Sequence, residues 1–248
     1  MAESCTGSEL IAVLLSREVR EGELSACGAL SMIPAAGLLL AQATHAPKAE
    51  LLMLGTPLMP FATSRQFHFL AMRGDLGLFF VSGVQIDRRG NYNLHMLGED
   101  QDKPRVRFPG GYGGGMIYYA ARRTVVFRTE HSRRALVEQV DFISAAGRTP
   151  PEVLRHGGPT KVITPMATLG FDAKAGVLGL ESAHPPHTPG EVQERTGFHL
   201  GDLSGVPATP APTEAELKAL RGPVRLRMIE EGIYAEWARA NLGGETAA

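Results

Sequence analysis

The chain has 248 residues, of which 44% are hydrophobic and 21% charged, as is typical of a soluble globular domain with a sizeable core. Its formal net charge is −1, so the overall charge does not favour a nucleic-acid partner. We expect neither a signal peptide nor a membrane span, because the N-terminus lacks a basic stretch and no apolar run reaches about 18 residues.

Two cysteines, Cys5 and Cys27, are too few for a disulfide framework. They favour a reducing compartment, and we expect the protein to be cytoplasmic. Cys27 ends a short predicted strand beside Gly28, and we interpret it as a small buried hydrophobe rather than a nucleophile.

Helix and strand patterns alternate along the N-terminal half. A capping box that starts at Thr6 predicts a helix over residues 8–21. Strand patterns follow at residues 24–27, 50–54 and 78–84, and a second helix should begin at Pro34 and end before Pro47. Residues 78–84 are apolar without the alternation of polar and apolar side chains that a half-exposed strand shows. This strand should therefore lie inside a parallel sheet.

The rest of the chain has strand patterns at residues 92–97, 124–129, 137–144 and 161–168, and helix patterns at residues 116–122 and 224–240. Capping boxes at Thr188 and Thr213 begin two further helices. The order predicts a layered α/β fold with a largely parallel sheet and helices on both faces. We expect one domain over residues 1–204, followed by a surface linker, C-terminal helices and a disordered GGETAA tail over residues 205–248.

Residues 110–115 read GGYGGG, and this glycine loop is the most unusual stretch of the sequence. No GK[ST] follows it, which excludes a P-loop, and the glycine spacing does not fit a dinucleotide-binding fingerprint. Two interpretations remain open. The loop is either a nest of backbone N–H groups that binds a carbonyl oxygen, carboxylate or phosphate, or a tight turn on a crowded sheet.

The histidines do not form a metal-binding pattern. Two prolines separate His184 from His187, so the pair cannot share a helix face, and we expect no metal site. The other histidines, among them His68 and His95, are interpreted as surface or hydrogen-bonded side chains.

Several stretches together resemble the B subunit of family I coenzyme A transferases, in particular the glutaconate type. They are THAP (44–47), FVSGVQIDRRGNYN (80–93), DKPRVRFPGGYGGG (102–115), SRRALVEQVDFIS (132–144) and HPPHTPGEVQERTGFHL (184–200). The resemblance implies an α/β fold, an A subunit as partner in a heterodimer or heterotetramer, and an active site between the subunits. It also implies an acyl-CoA substrate, with coenzyme A as part of that substrate and no other bound cofactor.

One departure from the family pattern concerns the nucleophile. The family carries a glutamate seven residues after the proline of THAP, which attacks the thioester, and this sequence has Leu54 at that position. Glu50 lies about 13 Å away along an extended strand and cannot replace it. The pattern is similar to a decarboxylase branch of the family that acts on methylglutaconyl-CoA and also lacks the glutamate, although that branch carries cysteine at this position.

The resemblance therefore assigns Leu54 to the vacated nucleophile position and a set of glycines and one serine to substrate binding: Gly28, Ser31, Gly55, Gly110, Gly111, Gly113, Gly114 and Gly115. We interpret Gln85, Asn91 and Asn93 as a supporting turn beside the site. The implied reaction is cofactor-free decarboxylation of an unsaturated dicarboxylic acyl-CoA. The alternatives are a glutaconate-type CoA transferase or acyl-CoA hydrolase with an acid from the partner subunit, and a non-catalytic acyl-CoA-binding subunit.

Overall fold

A computed structural model describes residues 5–243, and a mixed sheet with helices on both faces forms its centre. The strands are β1 (Leu24–Cys27), β2 (Glu50–Met53), β3 (Leu78–Val81), β4 (Gln85–Asp87), β5 (Tyr92–Asn93), β6 (Met96–Leu97), β7 (Val106–Arg107), β8 (Arg123–Phe127), β9 (Leu136–Val137), β10 (Pro159–Ile163), β11 (Ala167–Asp172) and β12 (Val177–Ala183). The helices are α1 (Gly7–Ser16), α2 (Met32–Ala43), α3 (Ser64–Met72), α4 (Gly114–Ala120), α5 (Pro189–Glu194), α6 (Glu214–Ala219), α7 (Arg225–Glu230) and α8 (Ala235–Asn241). A π-helical turn, Leu220–Val224, joins α6 to α7.

Within residues 5–243 the main sheet has seven strands in the spatial order β12-β11-β10-β8-β3-β1-β2. The five from β10 to β2 run parallel, and β11 and β12 add an antiparallel edge. Two small sheets, β5-β4-β9 and β6-β7, pair outside it. The predicted largely parallel α/β sheet is confirmed, with β3 buried along its whole length as expected for an interior strand.

Side-chain alternation along the strands divides the core into two apolar layers. Leu78 and Phe80 of β3 face a layer that contains α1, α2 and the C-terminal helices. Phe79 and Val81 face the opposite layer, which contains α3, α4 and α5. The helices after residue 213 therefore belong to the same core as α1, through Leu217 and other apolar side chains.

The capping boxes place helix starts where the sequence predicts them. The Glu9 backbone N–H donates to the Thr6 hydroxyl oxygen at 3.2 Å, and the Thr6 N–H donates to the Glu9 carboxylate at 2.9 Å. The boxes at Thr188 and Thr213 begin α5 and α6 in the same way. Each box satisfies two of the backbone donors that a helix start leaves free, which explains why such a local signal is reliable.

Four predicted elements differ from the structure. The helix predicted over residues 8–21 ends at Ser16. Residues 161–168 form a hairpin, because Pro165 ends β10 and the chain returns as β11. Residues 137–144 contribute only the short β9, and the rest is irregular. The predicted helix over residues 224–240 is broken between α7 and α8, where Gly232 and Tyr234 both have positive φ, 69° and 50°.

Two further predictions concern the ends of the sequence. Residues 205–212 are mostly exposed, as expected of a surface segment, but buried Thr209 anchors them through its hydroxyl to His184 Nδ1 at 2.7 Å. The predicted disorder of the tail concerns mainly residues 244–248, which lie outside the described residues. Between residues 5 and 243, none of the helices combines the length and the apolar character that crossing a bilayer requires.

Candidate functional site

A cavity of about 1060 Å³ opens at the carboxyl ends of β1, β2 and β3. The residues that directly follow these strands, Gly28, Leu54 and Ser82, all line it, together with the glycine loop and the start of α3. This edge of a parallel sheet is where α/β proteins usually bind ligands, because the connecting loops converge there.

The structure brings most of the predicted site residues together. The predicted residues that line the cavity are Gly28, Ser31, Leu54, Gly55, Gly110, Gly111, Gly113 and Gly114. Gly115 does not line it, because it packs against the chain beside Ser144: a Cβ at position 115 would lie 2.7 Å from the Ser144 carbonyl oxygen.

Gln85, Asn91 and Asn93 lie outside this cavity and order the turn beside it. The Asp87 carboxylate accepts hydrogen bonds from the Asn91 backbone N–H at 3.0 Å and from its side-chain amide at 2.9 Å. The Asn93 amide donates to the Gln85 side-chain oxygen at 2.8 Å. This turn carries Leu94 into the cavity wall.

The cavity wall is apolar. Among the described residues that line it there is no aspartate, glutamate, lysine, arginine or cysteine. Most of the lining side chains are aliphatic or aromatic: Leu30, Leu54, Met59, Phe61, Phe79, Phe80, Val81, Leu94, Tyr112, Ile117 and Phe127. His68 is the one described lining residue whose side chain can carry a positive charge, and the rest of the described wall presents no full charge to a bound carboxylate.

The glycine loop that lines this cavity carries unpaired backbone donors. The N–H groups of Gly110, Gly111, Tyr112 and Gly113 donate to no other group within the part of the chain that the structure describes. The next N–H, of Gly114, already donates to the Gly111 carbonyl oxygen at 2.6 Å. Consecutive free N–H groups beside a cavity can stabilise an anionic or carbonyl oxygen, as in other backbone nests.

The chain's own aromatic rings also crowd the glycine loop. A Cβ on Gly113 would overlap His68 Nε2, a Cβ on Gly114 would lie 2.8 Å from the Tyr92 hydroxyl, and one on Gly110 would lie 3.2 Å from His95 Nε2. Both sequence interpretations of the loop therefore find support, since it offers free donors on one side and is a crowded turn on the other.

We expect Gly113→Ala to destabilise the protein by roughly 1–3 kcal/mol. Gly113 has a φ of 83°, which strains any L side chain, and the added methyl would displace the His68 ring. Gly111→Ala is the matched control, because its Cβ would have no neighbour closer than 3.8 Å. Urea denaturation of both variants checks this, and equal losses of stability would contradict the packing argument.

Strained backbone is concentrated at the cavity. Among residues 5–243, the non-glycine residues with positive φ are Leu30 (58°), Tyr112 (46°) and Tyr234 (50°). Leu30 and Tyr112 stand at the cavity mouth with 81% and 84% of their surface exposed. The Tyr234 hydroxyl donates to the Leu54 carbonyl oxygen at 3.4 Å, and burial raises the pKa of Tyr234. Strain of this kind is often retained at functional sites.

Sequence reasoning missed three residues that line the cavity or contact its lining: His68, Tyr112 and Tyr234. The predicted hydrogen-bonded side chain at His68 is confirmed for Nδ1, which lies 2.7 Å from the Ser64 carbonyl oxygen. The sequence did not indicate that His68 lines the cavity or that its Nε2 atom is buried with no partner among residues 5–243. The Thr63 backbone N–H donates to the Gln66 side-chain oxygen at 3.2 Å, and this capping signal at the start of α3 could have revealed the helix that carries His68.

The remaining histidines take no part in this cavity. His131 and His184 are buried, and their rings contact the hydroxyls of Thr164 and Thr209. Among residues 5–243, no three histidine, cysteine, aspartate or glutamate side chains come together as a metal site would require.

Comparison with known proteins places these features in a family. The coenzyme A transferase family model matches residues 58–195, which is more than half of the chain. The chain is 32% identical over 165 residues to the B subunit of 3-oxoadipate CoA-transferase from Pseudomonas knackmussii, and the alignment covers 64% of this chain and 63% of that protein. It is 26% identical over 248 residues to the B subunit of glutaconate CoA-transferase from Acidaminococcus fermentans, covering 87% of this chain and 91% of the relative.

Among solved structures, the chain is similar to the decarboxylase AibA/AibB with a TM-score of 0.76 and 25% sequence identity, over 88% of this chain and 94% of the other. The range that the family model matches includes the glycine loop, residues 110–115. The chain therefore belongs to the coenzyme A transferase family, within which it is homologous to the B subunits.

Proposed function

We propose that this chain is the B subunit of a two-subunit enzyme that decarboxylates an unsaturated dicarboxylic acyl-CoA without a further cofactor. The observation that carries the proposal is a cavity with free backbone donors but no carboxylate among its described lining residues. The thioester-binding part of the site is retained, while the nucleophile position implied by the family pattern is occupied by Leu54.

The binding step follows from the free donors. The thioester carbonyl oxygen accepts hydrogen bonds from the N–H groups of Gly111, Tyr112 and Gly113 in the glycine loop. These hydrogen bonds become stronger as negative charge develops on the oxygen, and this difference lowers the reaction barrier. The protein's own side chains form the apolar wall around the acyl group.

The apolar wall favours loss of carbon dioxide. A substrate carboxylate beside Leu54 is poorly solvated, and it loses its charge when the carbon–carbon bond to the carboxyl group breaks. The electron pair moves into the conjugated thioester, where the loop donors stabilise it. A contribution of about 4 kcal/mol from this effect corresponds to a rate factor of about 10³.

A partner subunit and a cytoplasmic location complete the proposal. Leu30 and Tyr112 expose apolar surface at the mouth of the cavity, as expected where an A subunit covers the site. Both cysteines, Cys5 and Cys27, are free, which supports a reducing compartment.

The test uses the chain co-purified with its A subunit. We expect carbon dioxide release from glutaconyl-type thioesters, measured with a carboxyl-labelled substrate, and no thioester trapped on this chain by borohydride. Transfer of coenzyme A to a free acid, with a trapped glutamate on the partner, would instead identify a transferase or hydrolase. A fully active A subunit on its own would assign this chain a non-catalytic role.

A further inference from the structure

His68 stands apart from the other side chains in the cavity wall. It is the one nitrogen base among the described lining residues, which otherwise offer only hydroxyl groups as exchangeable protons: Ser31, Thr63, Ser64, Ser82 and Tyr112. Leu54, at the position implied for the nucleophile, carries no exchangeable proton. Among the described lining side chains, the His68 imidazole is therefore the best source of a proton for an acyl group in the cavity.

The His68 ring is held in one orientation. Its Nδ1 atom lies 2.7 Å from the Ser64 carbonyl oxygen, one helical turn earlier, and a carbonyl can only accept, so Nδ1 carries the proton of that hydrogen bond. The neighbouring Phe67 ring packs edge-on with its centroid 6.0 Å away. The tether leaves Nε2 as the atom that gains or loses a proton.

Nε2 has no partner in the described part of the chain and is buried beside Gly113. A buried polar atom without a hydrogen bond destabilises the folded state, so its presence calls for a functional explanation. Gly113 also carries one of the free N–H groups of the glycine loop. The unpartnered ring nitrogen and the proposed thioester donors thus lie side by side in one wall.

We propose that His68 is a catalytic residue that returns a proton to the substrate carbon after carbon dioxide is lost. This inference rests on the proposed function, because decarboxylation leaves a carbanion equivalent that must gain one proton. The carbon–carboxyl bond breaks, carbon dioxide leaves, and its electron pair enters the conjugated thioester. The Nε2–H bond of the imidazolium then breaks as a carbon–hydrogen bond forms, and the neutral ring regains its proton from water.

The experiment compares three forms of the complex with its A subunit: wild type, His68→Asn and His45→Gln. The asparagine amide of the His68→Asn variant can keep the hydrogen bond to the Ser64 carbonyl but cannot donate the catalytic proton. The control residue His45 is exposed and bonds the Val19 carbonyl oxygen, outside the cavity. Melting temperatures establish that all three are folded, and His68→Gln provides a second variant if the asparagine variant is not.

Two readouts are expected to change. His68→Asn should lower kcat for carbon dioxide release by about 10²–10⁴-fold with little change in KM. The wild type should exchange solvent deuterium into the decarboxylated acyl-CoA, and His68→Asn should abolish this exchange. His45→Gln should match the wild type in both readouts.

The outcomes separate this inference from the proposed function. If His68→Asn releases carbon dioxide at the wild-type rate, the role of His68 is overturned and the decarboxylase proposal stands. If the wild type exchanges deuterium through His68 but releases no carbon dioxide from any substrate, the reaction assignment fails and the proton-transfer role stands. Absence of exchange in the wild type also overturns the role of His68.

Discussion

Replacing Leu54 by glutamate is expected to lower carbon dioxide release more than a hundredfold without creating an efficient CoA transferase. The new carboxylate would face the substrate carboxylate across an apolar cavity. At about 5 Å and an effective dielectric constant of about 20, two like charges repel by roughly 3 kcal/mol, which is more than a hundredfold in rate. Burial also raises the pKa of an unpaired carboxyl group, so the loss should be smaller at low pH.

A glutamate at position 54 also lacks the partners that a nucleophile needs. Among the described lining residues no lysine or arginine stabilises its charge, and an unpaired buried carboxylate costs several kcal/mol. Leu54→Gln is the matched control, because it has nearly the same shape as glutamate without the charge, and it should retain more activity. The measurements are labelled carbon dioxide release and borohydride trapping. Robust transfer by the Leu54→Glu variant would contradict the argument.

Folding stability is expected to fall steeply between about pH 6.5 and pH 4 because of His131 and His184. Burial lowers the pKa of each ring from an ordinary value of 6.5 to about 4. The unfolded chain therefore binds protons that the folded chain does not, and stability is complete above pH 6.5 and is lost as the pH falls towards 4. Each group should cost roughly 2–4 kcal/mol by pH 4, against a total stability of about 5–15 kcal/mol.

The environment of the two rings explains these pKa values. His131 contacts the hydroxyls of Thr164 and Thr196 at 2.8 and 3.0 Å, and neither offers a charge to an imidazolium. His184 contacts the Thr209 hydroxyl at 2.7 Å, and its Nε2 has no partner in the part of the chain that the structure describes. Protonation would place two positive charges close together in a poorly solvated region.

Urea denaturation at pH 7.5, 6 and 5 checks this prediction. The carboxylate of Glu216 affects stability at lower pH than the two histidines do. Burial alone would raise the pKa of Glu216, but hydrogen bonds from Arg17 hold it at about 2. Its contribution to folding stability is therefore lost only below about pH 4.5. The double variant His131→Asn and His184→Asn should be less stable at pH 7.5 but show a flatter pH dependence. His45→Gln should keep the wild-type slope, and a wild-type stability that does not change over this range would rule out the mechanism.

The sequence alone determined the features that depend on residues close together in the chain. Capping boxes begin α1, α5 and α6 because their hydrogen bonds join residues three positions apart, and the continuous apolar run of β3 needs no knowledge of its neighbours. The glycine loop and Leu54 at the end of a strand pattern were also visible in the sequence. These features were sufficient to indicate the family and the fold.

Only the tertiary structure decided which side chains meet at the cavity and what chemistry they offer. The pairing of β1 with β2 and β3 brings Gly28, Leu54 and Ser82 to one sheet edge, and α3 then places His68 against Gly113. Tyr234 reaches Leu54 across 180 positions of sequence. Such contacts depend on how strands are ordered and helices packed, which no pattern of neighbouring residues encodes, because burial and close approach are properties of the folded chain as a whole.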